Sequence, residues 1–278
     1  MGSAGLLPRP PTGSWNHVEK VALRHHDVHL SPSARGLDGL RLAHISDLHF
    51  SKWSAIVESA QRRLLELDYD LLAVTGDFTD WPRNWRRAVE LMKRFFGPLA
   101  GKGDIYATLG NHDHEAIAEA QGLPVRFLRD NSIVLERTAA HARLAGVEQV
   151  RKRGGNVHKA LGVDDNLPTV LLAHYPSTVY RLPPGRVHLQ LSGHTHAGQW
   201  RLPLVGCLWG NDWIHPRHAW GLHHIRQTPL HVSAGIGASL PIPIRVNCPP
   251  EVTLLTLHAN TPSISERPVE ASARRDQR

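Results

Sequence analysis

The chain has 278 residues, of which 41% are apolar and 21% charged, with a formal net charge of +7. That length fits one large domain with a full core, and two cysteines argue against a disulfide scaffold. No run reaches the roughly 20 apolar residues of a bilayer span. The first residues lack a basic start followed by an apolar run, so a cytoplasmic place of work is the expectation, membrane-associated if at all from outside. The basic excess suits anionic partners.

The first 14 residues, rich in Pro and Gly, read as a flexible segment, and 260–278 as a disordered tail. Between them, 15–259 reads as the folded domain. Leu40–Ser46 is a strand ending in polar residues, and Ala55–Leu67 follows with Ile56, Ala60, Leu64 and Leu67 at helical spacing. Leu71–Thr75 is a short buried strand, Trp85–Leu99 a second amphipathic helix, and Ile105–Leu109 a third strand. Further strands are expected at Ser132–Leu135, Arg143–Val147, Val170–Ala173, Leu189–Leu191, Leu230–Val232 and Val252–Leu257. The early alternation predicts parallel crossover units, and the later strands a second, mixed sheet. The expected fold is an α/β sandwich of two sheets.

Open α/β sheets place ligands beyond the carboxyl ends of their strands. Five expected strand ends carry the same kind of chemistry: Asp47-Leu48-His49, Gly76-Asp77-Phe78-Thr79-Asp80, Gly110-Asn111-His112-Asp113, His174, and Gly193-His194-Thr195-His196. Each fragment alone is an ordinary turn or cap. Together Asp47, His49, Asp77, Asn111, His174, His194 and His196 are too many ligands for one tetrahedral ion. They suit two divalent ions such as Mn, Fe or Zn sharing a ligand, an arrangement used for displacement at phosphorus.

In this order the motifs resemble the calcineurin-like metallophosphoesterases. Ser46-Asp47-Leu48-His49, His194-Thr195-His196-Ala197-Gly198-Gln199 and Cys248-Pro249-Pro250-Glu251-Val252 are similar to their YkuE/YaeI-type branch, with Ala197 where that branch usually has Gly. The resemblance implies a four-layer α/β/β/α sandwich with the dinuclear site at the strand ends. It implies that Asp47, His49, Asp77 and His196 hold one ion, that Asp77, Asn111, His174 and His194 hold the other, and that Asp77 bridges. His112 would act as general acid, oriented by Asp80, while a water held between the ions attacks phosphorus. The implied partner is a phosphorylated small molecule or lipid, including nucleotide-sugar lipids of the UDP-2,3-diacylglucosamine type. A nucleic-acid or cyclic-nucleotide phosphodiesterase is the alternative, though no dedicated nucleic-acid-binding module is present. A non-catalytic scaffold ranks last, because such a protein is expected to lose a ligand or the acid.

Among the other residues, His25, His26 and His29 read as exposed positions of an edge strand, and His44 as a packed core histidine. His114, His215, His218, His223 and His224 carry only a weak case for substrate contact. Trp53, Trp81, Trp85, Trp209, Trp213 and Trp220 follow the motifs and read first as ordinary loop packing, the second reading being an aromatic wall for a base, a sugar or a lipid interface. Arg83, Arg86 and Arg87 beside them fit acidic head groups or a solvated helix face, and Gln199 and Asn211 are further polar candidates.

Overall fold

Alternation along Leu71–Thr75 sets the layers. Leu71 and Ala73 join one buried cluster while Leu72 and Val74 join another, so this strand buries both faces. The computed structural model describes residues 21–136, 140–150, 154–202, 206–207, 212–238 and 244–259. The expected flexible segment 1–14 and tail 260–278, like Trp209 and Asn211, lie outside the described residues.

In chain order, β1 (Ala22–Leu30) and β2 (Arg41–Ile45) precede α1 (Ala55–Glu66), β3 (Leu71–Thr75), α2 (Trp85–Phe96), β4 (Asp104–Thr108) and β5 (Arg126–Phe127). Then come β6 (Asn131–Leu135), β7 (Ala142–Val147), α3 (Val157–Leu161), β8 (Thr169–Ala173) and β9 (Leu189–Ser192). A small ribbon of β10 (Arg201–Leu202) and β11 (Gly206–Cys207) leads to β12 (Gly221–Ile225), β13 (Thr228–Val232) and β14 (Glu251–Ala259). The first sheet has the order β1-β14-β2-β3-β4-β5, and the second β12-β13-β9-β8-β7-β6. Both are mixed. The strands β2 to β5 are parallel while β14 runs against β2, and β7, β8, β9 and β13 are parallel between antiparallel β6 and β12.

Helices α1 and α2 cover the outer face of the first sheet through Val57, Ala60 and Leu64 and through Ala88, Met92, Phe95 and Phe96. Ser54 starts α1 by accepting the Val57 N–H at 3.3 Å. The α2 helix stops at Phe96, three residues before the expected end, and Gly97–Leu99 forms a tighter turn. Pro98 explains the stop, since it lacks the N–H that another turn of helix requires. Between the sheets pack Leu42, Leu144, Val170, Leu172, Leu189 and Leu191. The fourth layer is thin: α3 covers Ala145, Val147, Leu171 and Ala173. The strand β1 is the expected edge strand, but His26 turns inward, its ring 5.5 Å from that of buried His231. His44 is fully buried, as expected.

Candidate metal centre

The parallel strands β2, β3 and β4 of one sheet and β8 and β9 of the other deliver their carboxyl ends to one edge. The chain turns sharply there. Asp47, His49, Asp77, His194 and His196 all adopt positive φ, between 44° and 69°. Non-glycine residues in that region carry strain of about 1–3 kcal/mol each, and such strain concentrates at functional sites. Two glycines permit the close approach: a Cβ on Gly110 would overlap the Asp77 carboxylate, and one on Gly193 would overlap Ser46 and Asp47.

The ligand atoms form two groups, Asp47 with His49 and His196, and Asp77 with His174 and His194. His49 Nε2 faces His196 Nε2 at 3.2 Å, and His196 Nε2 lies 3.5 Å from Asp47 Oδ1. His174 Nε2 lies 3.2 Å from Asp77 Oδ2 and 3.1 Å from Asn111 Oδ1. The same Asp77 oxygen is 3.9 Å from His49 Nε2, so it stands between the groups. Ligands about 2.1 Å from one ion stand roughly 3.0–3.4 Å apart at its tetrahedral or octahedral corners. The His49–His196, His174–Asp77 and His174–Asn111 spacings fall in that range, the other two are wider, and the mixed carboxylate, amide and imidazole donors fit first-row divalent ions.

Outer contacts aim the ligands. His174 Nδ1 meets the Thr75 carbonyl at 2.7 Å, which leaves Nε2 to face Asp77. Asp80 corrects the expectation drawn from the motif. Its carboxylate lies 3.1 Å from His49 Nδ1, and His112 is held instead by the Asp80 backbone carbonyl, 2.8 Å from Nδ1. The His112 backbone N–H donates to Asp77 Oδ1 at 2.9 Å, so the ring sits at the margin of the ligand groups.

Three residues without a role in the sequence reading prove structural for the site. Asp113 is fully buried and accepts the N–H groups of Asp77, Phe78, Thr79 and Gly110, clamping the β3 end to the β4 end. Its place beside His112 in a turn motif was the only hint. Glu251, also fully buried, accepts from Ala234 N–H at 2.9 Å, Trp220 Nε1 at 2.8 Å and Arg24 Nε at 2.9 Å. It anchors the segment whose Ile236 and Gly237 N–H groups bond Ser46 and Asp47 carbonyls. Arg245 braces the same segment through the Gly237 carbonyl and brings Nη2 within 3.4 Å of His196 Nδ1. Nothing in the local sequence marks it.

The electrostatics follow from burying these charges together. Burial opposes a charged His174, yet the Asp77 carboxylate outweighs it and lifts the ring to about 10. Burial likewise opposes a charged Asp77, yet His174 and His49 hold it below the usual carboxylate range. Burial, then His49 and Arg245, push His196 well below its ordinary value. Burial and then the charge of Asp77 raise Asp113 to about 7. Across this edge the carboxylates and imidazoles stabilise one another's charged forms.

The expected aromatic wall is only partly present. Trp53 packs under Arg94, Trp85 stacks on His114, and Trp220 lies between Arg24 and Arg201. Trp81 and Trp213 are exposed. His215, His218 and His223 cluster beside Ala219, whose carbonyl accepts from Thr195 Oγ1.

Comparison with known proteins agrees with this edge. The family described as Calcineurin-like phosphoesterase matches residues 40–198. The metallophosphoesterase YkuE of Bacillus subtilis is 26% identical, covering 85% of each chain. Phosphodiesterase YaeI of Escherichia coli is 27% identical over 78% of this chain and 82% of its own. UDP-2,3-diacylglucosamine pyrophosphatase LpxG of Chlamydia muridarum is 25% identical over 88% of this chain and 93% of its own.

Proposed function

The chain belongs to the calcineurin-like phosphoesterase family and is a metal-dependent hydrolase of phosphoric esters; on that premise we propose that it cleaves a phosphodiester or pyrophosphate with two divalent ions, on a lipid-linked or nucleotide-sugar substrate. The observation that carries the reading is the single Asp77 oxygen lying between two three-ligand groups. Asp47, His49, Asp77 and His196 would hold one ion, and Asp77, Asn111, His174 and His194 the other. Bound there, the ions supply Lewis-acid charge at phosphorus and an acidified water as nucleophile.

The chain's own residues do the rest. Thr75 and Asp80 fix the His174 and His49 tautomers, so both rings present Nε2 to the site. The Asp80 carbonyl accepts from His112 Nδ1–H, which orients the ring and leaves Nε2 as the nitrogen that faces the leaving oxygen. Such general acid catalysis contributes about 10²–10⁴ in rate. The relatives' names support the substrate class: one is a phosphodiesterase and another a pyrophosphatase of a diacylated UDP-sugar. No described helix is long and apolar enough to cross a membrane.

The test is metal analysis of the purified protein, followed by assay on bis-p-nitrophenyl phosphate, p-nitrophenyl phosphate and a UDP-linked diacyl lipid with Mn, Fe, Zn or Mg restored. Diester or pyrophosphate hydrolysis is expected. His112→Ala at matched metal content should fall by about 10²–10⁴ in kcat. Absence of hydrolysis with every ion sinks the enzyme reading, and equal activity in the variant removes His112 from it.

A further inference from the structure

Trp213 is 94% exposed, which is unusual for so large an apolar side chain. Its backbone is nonetheless held firmly. Asp212 accepts from Ser177 N–H at 2.6 Å, from Ser177 Oγ at 2.5 Å and from Trp213 N–H at 2.7 Å. Ser177 lies three residues beyond His174, so the ring is presented from the rim of the ligand edge. Trp81, next to Asp80, is 46% exposed, and Trp200, four residues beyond His196, is 43% exposed. The Trp200 Nε1–H donates to the Ile244 carbonyl at 2.9 Å, and Ile244 is itself 55% exposed.

These rings stand on three separate loops, and all three loops leave the same edge of the sheets. The tight turn before α2 adds exposed Arg83, and the first turn of α2 adds exposed Arg86 and Arg87, close to Trp81. Arg83 and Arg86 lie over the rings of Trp81 and Trp85, at 5.7 and 4.5 Å from their centroids. Flat amphipathic rings with guanidinium groups beside them match the head-group layer of a bilayer, where indole sits at the polar boundary and cations meet lipid phosphates.

We propose that Trp81, Trp200 and Trp213, with Arg83, Arg86 and Arg87, form a docking surface that seats the metal-bearing edge on an anionic phospholipid bilayer. The proposal rests on the lipid-substrate reading and gives it a geometry: the mouth of the site faces the leaflet, so a lipid-linked phosphoester reaches the ligand groups without leaving the membrane. A nucleic-acid track would need basic groups in a continuous line, and the large exposed groups here are indoles.

The experiment is flotation of the full chain with vesicles of phosphatidylcholine alone or mixed with phosphatidylglycerol, at low and high salt, with bis-p-nitrophenyl phosphate hydrolysis and light-scattering mass measured on the same preparations. The protein should float with the anionic vesicles, and less so at high salt. The Trp81→Ser/Trp213→Ser variant should lose vesicle partition by about tenfold or more. Arg83→Gln/Arg86→Gln should lose roughly fivefold per charge. Hydrolysis of the soluble diester should be unchanged in both variants. Three results overturn the proposal: absence of flotation with anionic vesicles, undiminished flotation of the Trp variant, or a wild-type dimer that the Trp variant converts to monomer, which would make the surface a self-interface. Vesicle binding without hydrolysis would strike the enzyme reading alone, and hydrolysis without vesicle binding the docking surface alone.

Discussion

Asp80 shows how a motif names a residue without naming its task. Its spacing from Asp77 was legible, but which atom meets which ring depends on how the β3 loop folds back on β2. The carboxylate faces His49 and the carbonyl faces His112. The two tasks separate experimentally. Asp80→Asn should weaken metal affinity by about 10–100-fold, the usual cost of losing an outer carboxylate on a ligating histidine. Titration calorimetry with Mn or Zn reads this. At matched metal occupancy the variant should keep most of its kcat, because the carbonyl still holds His112. A kcat loss as large as that of His112→Ala at full occupancy would return the carboxylate to the general acid. Asp113 and Arg245 were missed for the same reason: Asp113 accepts from the Asp77, Phe78 and Thr79 backbone and Arg245 reaches the His196 ring, contacts between distant segments that leave no local pattern.

At the scale of elements, buried strands were legible where an apolar run such as Leu71–Val74 is uninterrupted. The strands β5, β10 and β11 span two residues each, too few to carry a period. The strand β12 escaped because GLHHI alternates weakly. Between β2 and β13 lies a buried histidine pair. His44 Nδ1 is 2.9 Å from His231 Nδ1, and His44 Nε2 is 3.0 Å from Thr75 Oγ1. Burial holds His44 down from 6.5 to about 3, and burial together with His44 keeps His231 well below its ordinary value. The folded protein therefore resists protonation that the unfolded chain accepts. Stability should be full above pH 6.5 and fall progressively toward about pH 3, at up to about 1.4 kcal/mol per pH unit for each such histidine. Urea midpoints measured between pH 7 and pH 4 check the slope. His44→Gln/His231→Gln should flatten it, and an unchanged slope would place the acid sensitivity elsewhere.

For the whole molecule, the ligand edge couples metal to stability. Asp47 and Asp77 come from one sheet and His174, His194 and His196 from the other, so each three-ligand group draws on both sheets. Without ions those carboxylates and imidazoles compensate one another only in part. Chelation should lower Tm, and restoring a saturating divalent ion should raise it by on the order of 10 °C. Because the Asp77 carboxylate raises His174 above its ordinary value against the opposing effect of burial, metal uptake should displace a proton from that ring. The gain should therefore shrink as the pH is lowered. Differential scanning calorimetry with chelator and with Mn or Zn measures both effects, and a Tm indifferent to metal would mean that the ions do not join the sheets.

By itself the sequence determined the strand ends, the residue types on them and hence the class of chemistry. Parallel strands oblige their carboxyl ends to share an edge, and Asp, Asn and His at five such ends together make a ligand set that no one fragment makes alone. The resemblance already implied the two ligand groups and a shared Asp77; only the tertiary structure decided that Asp80 serves His49 with its carboxylate and His112 with its carbonyl. Those contacts depend on the stacking of two sheets and on three turns in which five ligand residues take positive φ. Packing between distant segments sets them, and no local pattern records it.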